Sequence, residues 1–350
     1  MHHQEIKRII PGAKTAVLFI HGIIGSPNQF DFLIPAIPPN VSFYNILLDG
    51  HGKGVKDFSK TSMSKWEKQI AAAIDELTIS HSEVLIVAHS MGCLFAIEQA
   101  ICNPGITKLI LLAAPIKLFL KPYILNNARK GYKGNPKPND PIGKAACKCC
   151  SITHSKNLFA YLGWLPRYFE LFSKIRHTRK ILPKLSTPTL AFQSAKDEMV
   201  AASAGKLLSA NPEVSVTMLE RSRHFYYEPD EQVQLRTAFS RWLDVPLPQK
   251  ERAYAYLRSI PKGKVVTYKQ VALHLGNAKL ARHVGNLLHQ NPDGDHTPCY
   301  KVVSAEGKLA DHYAFGGAEA QKARLESEGI EAHNGKVNLK KYQYDTEEKL

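Results

Sequence analysis

Through residue 245 the apolar positions fall into short uninterrupted runs. Ala16-Val17-Leu18-Phe19-Ile20, Val84-Leu85-Ile86-Val87, the run from Leu109 to Ala114, Thr189-Leu190-Ala191-Phe192-Gln193-Ser194 and Ser215-Val216-Thr217-Met218-Leu219 all read as strands. The segment Asp244-Val245-Pro246-Leu247-Pro248-Gln249-Lys250, with two prolines and charge, predicts a linker. Beyond it the pattern becomes helical. Ala253 to Ile260 predicts a short helix, ended by Pro261-Lys262-Gly263-Lys264. Thr267 is placed to cap a helix from Tyr268 to Leu275, Gly276-Asn277 predicts a turn, and a second helix runs from Ala278 to about His289. Ala281, Val284 and Leu288 form its apolar face, and the pair reads as a helix-turn-helix. The expected division is 1–245, a linker at 246–252, and a second domain at 253–345.

The candidate chemistry lies just past the strand ends. Ala88-His89-Ser90-Met91-Gly92 follows the second run as a sharp turn with Ser90 at its tip. His21-Gly22-Ile23-Ile24-Gly25 follows the first run, Asp197 the fourth and His224 the fifth. A serine is a weak nucleophile until a base takes its proton, and that base needs an acid to orient it. Ser90, His224 and Asp197 fit these roles, with Glu198 second in line for the acid. The backbone N–H groups of Ile23 and Met91 are placed to hold an oxyanion. His51 and His89 read as structural or pocket-lining. The small residues Ala88 and Gly92 let the turn pass close to its neighbours.

Residues 1 to about 245 resemble the α/β-hydrolases, in which the same order of serine, acid and histidine is expected. Within that superfamily the chain looks most like small-ester carboxylesterases and monoacylglycerol lipases, and Leu48-Asp49-Gly50-His51-Gly52 resembles a turn they carry. The resemblance implies a doubly wound, mostly parallel α/β sheet with a cap insertion at about 116–185. It also implies a small or medium acyl ester as substrate. No cofactor is expected.

Charge sharpens the picture of that insertion. The chain has 350 residues and a net charge of +15. Residues 117–184 carry 15 Lys and Arg against Asp140 and Glu170, while 250–350 carry 16 basic and 12 acidic residues. The basic excess is thus concentrated in the cap. Lys130 to Pro138 reads as a polar loop, and Leu158 to Pro166 with Tyr168, Phe169, Leu171 and Phe172 as an aromatic segment. The aromatics are expected to pack over the acyl pocket. The lysines fit either a solvated face or a surface for anionic membranes. Cys147, Cys149 and Cys150 lie near His154, but their spacing fits no zinc pattern, so reduced thiols and no metal are expected. The longest apolar run is far short of the roughly 18 residues of a membrane span, and Met1-His2-His3-Gln4-Glu5 has no apolar signal core. A cytoplasmic location is the expectation.

From about residue 250 to 345 a second resemblance begins. Ile260-Pro261-Lys262-Gly263, Thr267-Tyr268, Ala281-Arg282-His283-Val284-Gly285, Asn291-Pro292, Pro298-Cys299 and Glu328-Gly329 resemble the DNA-binding, cysteine-bearing domain of the O6-alkylguanine-DNA alkyltransferases. The resemblance implies a winged-helix-like domain that binds double-stranded DNA carrying an alkylated guanine. It implies that Tyr268 helps rotate the nucleotide, Arg282 fills the gap in the stack, and Cys299 accepts the alkyl group. Asn291 is then a hinge residue and Tyr313 a pocket residue. Where the family has His and Arg after the cysteine, this chain has Tyr300 and Lys301. A thiol needs a base or a positive charge to become a thiolate, and Tyr300 is a poor substitute for histidine. Glu328 matches the acid that would orient the missing histidine. Alkyl transfer to Cys299 is expected, with a non-catalytic sensor of damaged bases as the alternative.

Overall fold

The computed structural model describes residues 3–119, 139–155, 157–244 and 249–344. The chain divides into two compact units, Met1–Val245 and Pro246–Leu350. The polar loop expected at Lys130–Pro138 and the prolines at 246 and 248 lie outside the described residues.

The first unit is built on a seven-stranded sheet. In chain order its strands are β1 (Ile6–Arg8), β2 (Thr15–Ile20), β3 (Ser42–Asn45), β4 (Glu83–His89), β5 (Ile106–Leu112), β6 (Thr189–Ser194) and β7 (Val214–Leu219). Their spatial order is β1-β3-β2-β4-β5-β6-β7. Every pairing is parallel except that of β1 with β3. Alternate side chains of β2 and β4 enter different cores. Leu18, Ile20, Ile86 and Ala88 join Trp66 and Phe95 in one core. Val17, Phe19, Leu85 and Val87 join Phe192 and Phe239 in the other. With both faces covered, the strands are apolar at nearly every position. Removing a ring such as that of Phe19, fully buried, is expected to cost about 3–5 kcal/mol. The strands β1 and β3 are short, partly polar and absent from the sequence reading.

Three helices follow from the first half of this unit: α1 (Val55–Ser59), α2 (Met63–Ser80) and α3 (Met91–Cys102). The insertion contributes Pro141–Cys149 and Leu165–Ile181. The second of these is anchored to α3 by Lys174, whose Nζ lies 2.5 Å from Glu98 and 4.4 Å from the centre of the Phe95 ring. Thr178 donates to the same carboxylate at 2.5 Å. The aromatic segment divides in two, which corrects the expectation that it packs inward throughout. Trp164 and Leu171 are buried, but Phe159, Leu162, Leu165, Phe169 and Phe172 are exposed, Phe159 at 81% and Phe169 at 71%. At 165, 169 and 172 the helical repeat puts three of them on one stripe. No described helix is long and apolar enough to cross a membrane.

In the second unit a helix runs from Gln249 to Ser259, so it starts inside the stretch expected as linker. Thr267 caps the helix Tyr268–His274 through Gln270 in a reciprocal capping box. Gly276 makes the turn with φ 100°, which a side chain would strain. The second helix is shorter than expected, a 3-10 turn at Ala278–Leu280 and then an α-helix at Ala281–His289. Val284 and Leu288 are buried with Leu257, Val271 and Val302, while Arg282 and His283 face out. A 3-10 turn at Cys299–Lys301, a short parallel pair of Val266–Thr267 with Val302–Val303, a helix at Gly317–Ser327, a small hairpin of Ala332–His333 with Lys336–Val337 and a last helical turn at Leu339–Tyr342 follow.

Candidate functional site

Ser90 sits between β4 and α3 with φ 51° and ψ −122°, outside the ordinary regions for an L-residue. This turn is possible because its neighbours are small. A Cβ on Gly92 would lie 2.3 Å from the carbonyl oxygen of Ile20. On Gly22 it would lie 3.0 Å from the Cβ of Ser90.

β6 and β7 bring the partners to this point. The Oγ of Ser90 is 3.1 Å from His224 Nε2, and His224 Nδ1 is 2.8 Å from Asp197 Oδ2. All three are buried. Burial alone would raise the Asp197 carboxyl, but His224 and the N–H groups of Val200 and Met199 hold it below its ordinary value. Asp197 therefore stays ionised and fixes the imidazole with its proton on Nδ1. Glu198, second in line for the acid, meets the His224 backbone and the Arg223 side chain. It accepts from His224 N–H at 3.1 Å and from Arg223 Nη1 at 3.2 Å.

The loop after β2 lies beside the serine. The His21 ring accepts from Leu48 N–H through Nε2 at 3.1 Å and donates through Nδ1 to Gly22 O at 2.9 Å. Burial and the nearby His51 push its pKa well below the usual value. Gly22 N–H donates to Gln29 Oε1 at 3.2 Å, and Gly25 N–H closes a turn onto Gly22 O at 3.0 Å. Ile23 is buried in this loop, and Met91 is the first residue of α3. His89 and His51, expected as structural or pocket-lining, are both buried. His89 meets the His224 carbonyl at 2.8 Å, and His51 packs between His21, Phe58 and Trp66. Burial lowers them to about 3 and about 4 respectively.

The second unit holds a separate constellation. Cys299 is buried at a cavity of about 40 Å³ whose walls include Tyr268, Leu288, Val302, Tyr313 and Gln321. That is room for a water or two. Asn291 Nδ2 donates to Cys299 Sγ at 3.2 Å and to Thr297 O at 3.0 Å. Burial raises the Cys299 pKa, against the opposing pull of Asn291, Tyr313 and Arg324. Tyr300 donates its phenolic hydrogen to Glu328 Oε1 at 2.7 Å, and burial and that carboxylate push its pKa up. Lys301 pairs with Glu328 Oε2 at 2.9 Å and donates to the carbonyls of Ile260 and Pro261. Its charge is spent there. Arg282 is exposed on its helix, away from this core.

Two residues of this site escaped the sequence reading. Gln321 is fully buried and pins the turn by donating to Tyr300 O and Val302 O, both at 2.9 Å. Arg324 lies over the rings of Tyr300 and Phe315 and pairs with Asp295 at 2.8 Å. The available signal was a polar residue at 321 sharing a helix face with Leu325 and Glu328. Cys147, Cys149 and Cys150 form no disulfide, and His154 meets the Tyr161 hydroxyl at 3.2 Å. Among the described residues no group of three His, Cys, Asp or Glu is arranged to hold a metal.

The sheet order and the elbow define an α/β hydrolase, and the second unit defines an alkyltransferase-like DNA-binding domain. Residues 17–236 match the alpha/beta hydrolase family model, and residues 248–330 match the 6-O-methylguanine DNA methyltransferase DNA-binding domain; the chain belongs to the first family and carries the second domain at its C-terminal side. A bifunctional methyltransferase/endonuclease from Picrophilus torridus is 39% identical over 92 residues, covering 26% of this chain and only 30% of that protein. A DNA base-flipping protein from Vibrio parahaemolyticus is also 39% identical over 92 residues, covering 26% of this chain and 90% of that protein. Among solved structures, a metagenome-derived lipolytic enzyme has a TM-score of 0.52 at 19% identity, covering 69% of this chain and 98% of its own.

Proposed function

We propose that the chain is a serine ester hydrolase joined to a domain that captures alkylated guanine in duplex DNA. The relay from Ser90 through His224 to Asp197, at 3.1 and 2.8 Å, carries the first half. His224 takes the Ser90 proton as Oγ bonds to the ester carbonyl carbon, and returns it to the departing alcohol. Water, activated by the same imidazole, then frees the acid and restores Ser90. Backbone N–H groups of Ile23 and Met91 receive the negative oxygen. The substrate class is a medium-chain carboxylic ester or monoacylglycerol. The test is hydrolysis of p-nitrophenyl esters of graded length by wild type and Ser90→Ala. Equal rates in both would overturn the assignment. A non-catalytic binding domain would fail to take a fluorophosphonate label at Ser90.

For the second half, the Tyr300–Glu328 bond supports capture over efficient transfer. Tyr300 holds its proton and Lys301 is committed to Glu328, so neither draws the proton from Cys299. Tyr268 keeps the flipping role, Arg282 the insertion role and Asn291 the hinge role, and the target base turns toward Cys299 and Tyr313. Intact mass after incubation with an O6-methylguanine duplex separates the readings. Tight binding without added mass supports the sensor; one methyl group on Cys299 supports the transferase.

The exposed stripe at Leu165, Phe169 and Phe172 favours one more partner, an anionic membrane surface. The basic excess of 117–184 complements it.

A further inference from the structure

The insertion is stitched to the loop beside the nucleophile by one short segment. Ser151, 3% exposed, donates its N–H to Ile24 O at 3.0 Å and its hydroxyl to Gly25 O at 2.5 Å. Flanking contacts repeat the pattern. Asn28 Nδ2 donates to Lys148 O at 3.4 Å, Lys148 Nζ pairs with Asp31 at 2.6 Å, and Thr153 N–H donates to Lys53 O at 2.9 Å. The loop needs this support. Ile24 has φ 51°, a left-handed conformation that a β-branched residue adopts only when its surroundings enforce it. Within the turn, Gly25 N–H closes onto Gly22 O across Ile23 and Ile24, and Gln29 holds Gly22 N–H; Ser151 adds the bonds from outside the turn. Ser151 takes two consecutive carbonyls, those of Ile24 and Gly25. Ile24 O shares its peptide plane with Gly25 N–H, which donates to Gly22 O at 3.0 Å, and Gly22 O shares its plane with Ile23 N–H; holding Ile24 O therefore steadies the bond that aims the Ile23 N–H.

We propose that Ser151 is a positioning residue that sets the oxyanion loop, so that the insertion is a structural part of the transition-state site. The inference rests on the serine-hydrolase reading, in which Ile23 N–H meets the negative oxygen. Ser151 touches no reacting atom and acts through Ile24 and Gly25. Losing one of its two bonds loosens the aim of the loop, and small misplacements at a reacting centre are costly.

The experiment compares wild type, Ser151→Ala and Ser151→Thr in the full chain. A fluorophosphonate label on wild-type Ser90 first establishes the hydrolase reading; its failure would overturn that reading and this inference together. With labelling established, Ser151→Ala should lower kcat on a p-nitrophenyl ester about tenfold with KM nearly unchanged. A trifluoromethyl ketone, which forms a tetrahedral oxyanion adduct on a serine, should bind Ser151→Ala more weakly by a similar factor. Ser151→Thr, which keeps the hydroxyl, should recover most of both. The pH profile should keep its shape, since Asp197 and His224 are untouched. Wild-type kcat and ketone affinity in Ser151→Ala would overturn the inference alone. So would a parallel loss in Ser151→Ala and Ser151→Thr with a lowered melting temperature, which would mark Ser151 as a packing residue.

Discussion

Tyr300 donates its phenolic hydrogen to Glu328 at 2.7 Å, and Lys301 closes on the other oxygen of the same carboxylate at 2.9 Å. The acid that could orient a base beside Cys299 is therefore saturated by a phenol and an ammonium. Tyr300→His would put an imidazole between Glu328 and the thiol. Transfer of a methyl group from an O6-methylguanine duplex to Cys299 should then rise by roughly a hundredfold, the ordinary contribution of a positioned base. Intact-protein mass spectrometry over time measures this directly. Unchanged kinetics in Tyr300→His would locate the barrier elsewhere, in the small cavity or in base rotation.

The two neighbouring acids of the first unit should separate cleanly by mutation. Asp197→Asn removes the charge that fixes the His224 proton on Nδ1 and should lower kcat by three to four orders of magnitude, to roughly the level left by a lost triad acid. Glu198→Gln keeps an oxygen for the His224 N–H and should cost less than about tenfold. Steady-state kinetics on one ester suffices. A larger loss from Glu198→Gln than from Asp197→Asn would exchange their roles.

Gly92→Ala tests the elbow itself. The added methyl would lie 2.3 Å from the backbone oxygen of Ile20, so β2 and α3 must separate. A destabilisation of about 3 kcal/mol or more is expected, with lost esterase activity. Ala88→Gly should fold and keep activity, because it removes volume from the same turn. Thermal unfolding of both variants decides the matter.

Much of this was legible in the sequence because the signals are local. Ser90, Asp197 and His224 each follow an apolar run, and such runs are needed wherever a sheet is covered on both faces. Thr267 announced its own helix. The strands β1 and β3 were not legible, since a three-residue edge and a partly polar strand gain their structure from pairing, not from their own pattern. Phe169 on the outward stripe was misread as pocket lining because aromatic content reveals amount and not direction, whereas Phe172, part-exposed, borders a cavity with Leu118 and Ile175. Gln321 and Arg324 act across a fold, through backbone carbonyls and ring faces that no spacing rule anticipates.

That stripe makes a measurable claim. Vesicles containing phosphatidylserine should bind the full chain more tightly than neutral phosphatidylcholine vesicles, and binding should weaken with salt as the screening length falls to about 10 Å at 0.1 M. Phe169→Ser with Phe172→Ser should reduce binding to both kinds of vesicle while leaving solution esterase activity unchanged. Indifference to lipid charge and to these substitutions would leave a solvated face.

The buried histidines predict how the first unit fails in acid. His21, His51 and His89 are buried and neutral, with pKa values well below normal, about 4 and about 3 respectively. In the unfolded chain each returns to about 6.5. Between these limits the unfolded state binds more protons, so stability is full above about pH 7.5 and falls as pH drops through 6.5. Each histidine contributes a slope of about 1.4 kcal/mol per pH unit, roughly 4 for the three together. Asp197, held below its ordinary value, adds acid sensitivity only below about pH 4, so the window from 6.5 to 5 isolates the histidines. Denaturant midpoints followed through the esterase activity proposed for the first unit should shift steeply across that window. His3 and His154, half-buried and also lowered, steepen it further. An uptake of less than one proton on unfolding between pH 6.5 and 5 would mean that these rings are charged in the folded chain, and that the His21 bond to Leu48 N–H, which needs a neutral ring, is not what holds the loop.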